Sequence, residues 1–217
     1  MTVKEKVLPF LNSIVLSYLT VETALRGDLP SSIANGLSLL DSIKNVVNKR
    51  MYGFTISVAQ LSEEIEKYQI RFIESLPQNE KFISVYTSGL FIAARNHQKE
   101  KLDMLRNAVL NTALSNTIDE DLQLSFISYI DRLTPSHIVA LKAHSDYWNK
   151  HNIDITEIGN RYASYLDELV GLGLLLRPDT SPESMRISFG SRTCVITSKG
   201  EQFLDFIKSP LEKIIKS

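Results

Sequence analysis

Tyr165-Leu166-Asp167-Glu168-Leu169-Val170-Gly171-Leu172-Gly173-Leu174-Leu175-Leu176-Arg177 changes its hydrophobic period part-way along. Upstream, Ile155 to Leu172 sets Ile158, Tyr162, Tyr165, Leu166 and Leu169 on one side at helical spacing. Gly173 suits the left-handed backbone that ends such a helix, and Leu174-Leu175-Leu176-Arg177 then reads as a short strand. Pro178-Asp179-Thr180-Ser181-Pro182 is loop, and Arg186 to Phe189 and Thr193 to Ile196 flank Gly190-Ser191 as hairpin strands. Thr197-Ser198-Lys199-Gly200 leads into a last helix carrying Phe203, Leu204, Phe206 and Ile207.

Everything upstream reads as helix. Leu122, Phe126, Ile127, Ile130 and Leu133 form a stripe, and Thr134-Pro135 supplies an N-cap followed by the residue best tolerated at the first helical position, starting a helix to about Tyr147. Asp119-Glu120-Asp121 suits the positive start of the helix it precedes, and the polar Ser115-Asn116-Thr117 marks a boundary between domains 1-117 and 118-217. In the first domain, Val3 to Tyr18 and Ile33 to Val47 carry helical stripes. Gly53 reads as a break, and a stripe from Val58 to Leu76 ends at Pro77. Two more helices follow, Asn79 to Arg95 and Gln98 to Leu114. The expected fold is mainly α: an N-terminal helical bundle followed by a smaller α+β domain with an antiparallel hairpin.

The stretch Tyr165 to Arg177 resembles the recognition-helix end and first wing strand of winged-helix domains of the multiple-antibiotic-resistance-regulator type. Val195-Ile196-Thr197-Ser198-Lys199-Gly200-Glu201-Gln202-Phe203-Leu204 is similar to their return strand and the helix start after it, whereas Trp148 to Thr156 departs from their second helix. The whole chain also resembles bacterial proteins with a helical front half and this ending, which implies a bacterial or phage cytoplasmic origin and no activity. The resemblance implies a winged helix that contacts DNA through Asn160, Arg161, Tyr162, Ser164 and Tyr165 on the helix. Arg177, Arg186, Arg192 and Lys199 would act as phosphate-binding cations around the wing.

Charge tempers that implication. Residues 118 to 217 carry 11 basic and 14 acidic side chains, against 13 and 11 for residues 1 to 117. Four or five cations would hold DNA weakly without dimerisation, because affinity grows with each phosphate neutralised. Two readings stay open. One is a non-enzymatic DNA-binding regulator or DNA-associated factor, with the N-terminal helices mediating homodimerisation or partner binding. The other is a protein-interaction adaptor in a multi-protein complex, such as a phage-defence or chromosome-handling assembly.

Composition adds limits. The chain has 217 residues, 43% apolar and 23% charged, as in ordinary globular proteins. No apolar run reaches the length of a membrane-crossing helix and no signal peptide is read, so a cytoplasmic protein without membrane partners is expected. Cys194 is the single cysteine, which rules out an internal disulfide, and its strand position reads as a small buried hydrophobe.

No catalytic residue, metal site or cofactor is expected. His137, His144 and His151 recur every seven residues, which on one helix separates neighbours by about 10 Å, too far to share an ion. Asp179 and Glu183 lack the Glu-x-Lys strand of a restriction-nuclease metal site, and the nine glycines form no phosphate loop.

Overall fold

The structure is a computed structural model that describes residues 3–25, 34–68, 72–114, 118–150, 164–177 and 194–216. Its helices are α1 (Val3–Leu25), α2 (Ala34–Glu66), α3 (Phe72–Ser75), α4 (Glu80–Arg95), α5 (Lys99–Leu114), α6 (Glu120–Arg132), α7 (Pro135–Lys150), α8 (164–171), α9 (Ser198–Ile207) and α10 (Pro210–Lys216). A 3-10 turn, Leu76–Gln78, separates α3 from α4. Between α8 and α9, β1 (Leu175–Leu176) pairs antiparallel with β2 (Val195–Ile196), Leu175 facing Ile196 and Leu176 facing Val195. Among the described residues the chain is mainly helical with one small antiparallel sheet.

Two compact units divide the chain: Met1–Ser128 with Lys208–Ser217, and Tyr129–Ile207. The sequence expectation put the boundary at residues 117 and 118. The compact units divide inside α6, and the last helix belongs to the first unit, where α10 packs on α5 and α2.

In the first unit α2 is the central element, packing on α1, α4 and α5. Its inward stripe is Met51, Phe54, Val58, Leu61 and Ile65, and α1 meets it with Val7, Leu11 and Val15, all buried. The helix runs straight through Gly53, against the expected break. A glycine costs about 1 kcal/mol in a helix relative to alanine, and burial of Met51 and Phe54 on either side offsets more than that. The stripe expected from Val58 to Leu76 does break, at Glu66; Lys67 and Tyr68 form a turn, and the apolar spacing resumes in α3. Asn79 caps α4, its side-chain oxygen accepting from the Phe82 N–H at 2.9 Å. Phe82, Val85, Tyr86 and Leu90 of α4 are buried, and Phe91 is exposed.

One polar chain crosses this apolar interior. Thr55 Oγ1 donates to the Met51 carbonyl at 2.8 Å, so the Tyr86 hydroxyl, 2.8 Å away, donates to Thr55. Stacking of the Tyr86 ring between Phe54 and Phe82, at centroid distances of 6.2 and 5.9 Å, completes the desolvation. Burial pushes the Tyr86 phenol from 10.0 up to about 12.

Candidate functional site

The second unit concentrates its specific chemistry where α8 passes into β1. The helix ends in paired backbone bonds, Gly173 N–H to the Val170 carbonyl and Leu174 N–H to the Leu169 carbonyl, each 2.9 Å. That pattern is a Schellman cap, which needs a left-handed residue, and Gly173 has φ 71°. Leu169 and Leu174 are both buried beneath it.

Thr197-Ser198-Lys199-Gly200 then clamps α9 onto this cap. Thr197 Oγ1 donates to the Gly173 carbonyl at 2.7 Å and accepts from the Gly200 N–H at 3.0 Å, so one hydroxyl caps α9 and holds the end of α8. The Thr197 N–H donates to the Leu174 carbonyl at 3.1 Å. Gly200 sits so close to that carbonyl that an added β-carbon would lie 2.3 Å from Leu174 O and 2.8 Å from Ile196 Cγ1. Lys199 reaches the Leu172 carbonyl at 3.0 Å and the Tyr129 hydroxyl at 2.7 Å, placing a cation at the negative end of α8.

A second cluster joins the start of α7 to α8. Thr134 is the N-cap of α7, and its N–H donates to His137 Nδ1 at 3.1 Å; the imidazole fills the role glutamate plays in a capping box. With Nδ1 accepting, the ring proton sits on Nε2, which lies 2.9 Å from Glu168 Oε2. Arg132 Nε holds the other carboxylate oxygen at 2.5 Å, and Tyr165 meets the imidazole edge-on at 4.6 Å between centroids. Hydroxyl, imidazole and carboxylate thus stand in the order a nucleophilic site uses. Here the Nδ1 lone pair also accepts from the Thr134 N–H, so the cluster serves as the start of α7.

Of the residues expected to contact DNA, Asn160, Arg161, Tyr162, Arg186 and Arg192 lie outside the described residues. Ser164 is exposed on α8, and Tyr165 is half-buried against His137. Arg177 is ion-paired with Asp167, and Lys199 is bonded within the unit. The described part of α8 exposes Ser164, Asp167 and Gly171 along one side, so its outward charge is a carboxylate partnered by Arg177. The sequence places Glu168 among the acids that oppose DNA contact and reads His137 as a surface or capping histidine rather than a metal ligand; the structure gives His137 the capping role. The Thr134-Pro135 cap, two residues before His137, was the local signal for what both do.

His144 is also buried, with Nδ1 2.8 Å from the Ala140 carbonyl, so His137 and His144 have separate partners. Among the described residues no group of three metal-binding side chains forms. Cys194 is buried, as its strand position implied. Among the described residues no helix is long and apolar enough to cross a membrane. Compared with known proteins, the chain matches no family model, no curated protein and no solved structure.

Proposed function

We propose that the chain is a protein-interaction adaptor whose C-terminal unit, a winged-helix-like arrangement, holds another protein in a multi-protein assembly. The observation that carries this reading is the engagement of Arg177 and Lys199. Arg177 is held by Asp167, and Lys199 by Leu172 and Tyr129. A cation already bonded inside the protein releases fewer counterions on meeting phosphate, and counterion release supplies much of DNA affinity. The unit Tyr129–Ile207 carries 8 basic and 10 acidic residues, a balance that favours a protein partner over a polyanion. Leu176, 60% exposed on β1, supplies the apolar contact such a partner would cover.

Contact with DNA as a regulator or DNA-associated factor is the second reading, supported by the order of helix, strands and helix and by Arg161, Arg186 and Arg192 in the sequence. One pair of experiments separates them. A photo-crosslinking residue at position 176, introduced in the native host, should capture a defined protein, and Leu176→Asp should abolish co-purification of that protein. Titration of duplex DNA at about 50 mM salt should show no binding in the micromolar range. Binding that weakens steeply with salt and disappears in Arg186→Ala with Arg192→Ala would replace the adaptor with a DNA-contacting protein.

A further inference from the structure

The solvent side of α2 carries a pattern that no packing among the described residues explains. Val46, Lys49, Gly53, Ile56, Gln60, Glu64 and Lys67 are all exposed, and they recur at steps of three and four residues along one seam that Tyr68 ends. Val46 is 48%, Ile56 41% and Tyr68 59% exposed, while the opposite side of the helix is buried against the rest of its unit. A single exposed aliphatic residue is ordinary. Here the apolar positions share a seam with a glycine in mid-helix, where glycine is the least favourable residue after proline. An added β-carbon at Gly53 would meet nothing within 4 Å, so no close approach within the chain requires it.

We propose that this side of α2 docks against α2 of a second copy of the chain, antiparallel, across a two-fold axis beside Ile56. The seam is self-complementary in that register and in that direction. Ile56 meets Ile56 of the second copy on the axis. Gly53 meets Gln60, whose long side chain fills the space glycine leaves. Lys49 meets Glu64, opposite charges placed symmetrically on both sides. Val46 meets the Tyr68 ring and the Lys67 stem. A parallel arrangement would instead set Lys49 against Lys49 and Glu64 against Glu64, and like charges oppose it. From Val46 to Glu66 the helical part of the seam is about 30 Å long at 1.5 Å per residue, and Lys67 and Tyr68 follow in the turn. One pair of helices covers less surface than a standard stable interface, so the dimer is weak and concentration-dependent. This pairing does not depend on what the hairpin unit binds, since it involves only α2 and the turn after it.

Sedimentation velocity of the full chain from about 1 µM to 1 mM tests it. A monomer–dimer equilibrium is expected, which Ile56→Asp weakens about tenfold or more while helicity by circular dichroism stays unchanged. Lys49→Glu and Glu64→Lys should each weaken the dimer, and the two together should restore it. The register is checked by oxidation of introduced thiols, Cys194 being buried. Ile56→Cys should form a disulfide-linked dimer, whereas Val46→Cys, paired with Tyr68 rather than with itself, should not. A chain that stays monomeric throughout the range overturns the proposal. So does a dimer indifferent to Ile56→Asp, a charge exchange that fails to restore association, or equal crosslinking at positions 46 and 56.

Discussion

The two units are stabilised in different ways. The first unit is held by repeated apolar stripes, in which Leu11, Met51, Val58, Phe82, Leu90 and Leu110 share the burial and no one backbone position is decisive. The second has an apolar core of its own, with Ile130, Leu141, Leu166, Phe203 and Phe206 buried, and adds a small number of unique contacts around the α8–β1 turn, where Gly173, Thr197, Lys199 and Gly200 each do something no neighbour could take over. Apolar burial is non-directional and summed over many side chains, so a stripe tolerates change. Directed hydrogen bonds and close backbone approach do not. Gly173, Thr197, Lys199 and Gly200 belong to the second kind: they build the joint between α8 and β1.

The same substitution in each unit should separate them most sharply. Gly200→Ala forces a β-carbon against Leu174 O and Ile196 Cγ1 and should cost about 3 kcal/mol or more, read by chemical denaturation and by loss of amide protection across Tyr129–Ile207. Gly53→Ala meets open space in mid-helix and should stabilise its unit by up to about 1 kcal/mol. Equal effects at the two glycines would erase the distinction drawn here.

Tyr86 provides the next test, since it places one polar bond inside the apolar unit. Its folded phenol titrates at about 12 against 10.0 unfolded, so the folded state keeps its proton longer. Stability from this group is complete below pH 10 and is lost as pH rises towards 12, a fall of about 2 kcal/mol. Tyr86→Phe should remove that fall while costing about 1 kcal/mol at neutral pH, seen by comparing denaturation curves of both proteins from pH 8 to pH 12. A parallel decline in wild type and variant would show that the decline arises elsewhere.

Lys199→Met removes the bonds to Leu172 and Tyr129 while keeping an unbranched side chain, and should lower the stability of the second unit by about 1–2 kcal/mol. An unchanged melting profile would release Lys199 from its structural role and return it to the list of phosphate contacts. Asp167→Asn should change least, about 0.5 kcal/mol or below, because its pair with Arg177 is exposed on both sides. The same variant frees Arg177, so duplex DNA binding that emerges with it would show that the acid had been masking a phosphate contact.

Much of the fold was legible because hydrophobic period reports helix directly. The boundaries of α4 and α5, the Thr134-Pro135 start of α7, the Gly173 stop and the short strand after it all follow from local chemistry that needs no partner. Gly53 was misread because its local preference opposes the helix, and the burial that overrides it comes from residues far away in sequence, Phe82 and Tyr86 among them. The candidate site was legible only in part. Thr197-Ser198-Lys199-Gly200 stood out as a motif, yet its meaning depended on where the Leu172 and Leu174 carbonyls lie.

The opening stretch shows the division well. The sequence alone determined that Leu166 and Leu169 lie on a helix, that Gly173 ends it and that a strand follows, because backbone preference and side-chain period are properties of neighbouring residues. Only the tertiary structure decided that Glu168 faces His137 and Arg132, that Asp167 holds Arg177, and that Lys199 returns to the end of α8. A charge is written in the sequence, but its availability to a ligand depends on what lies within a few ångströms, and that is set by residues tens of positions away.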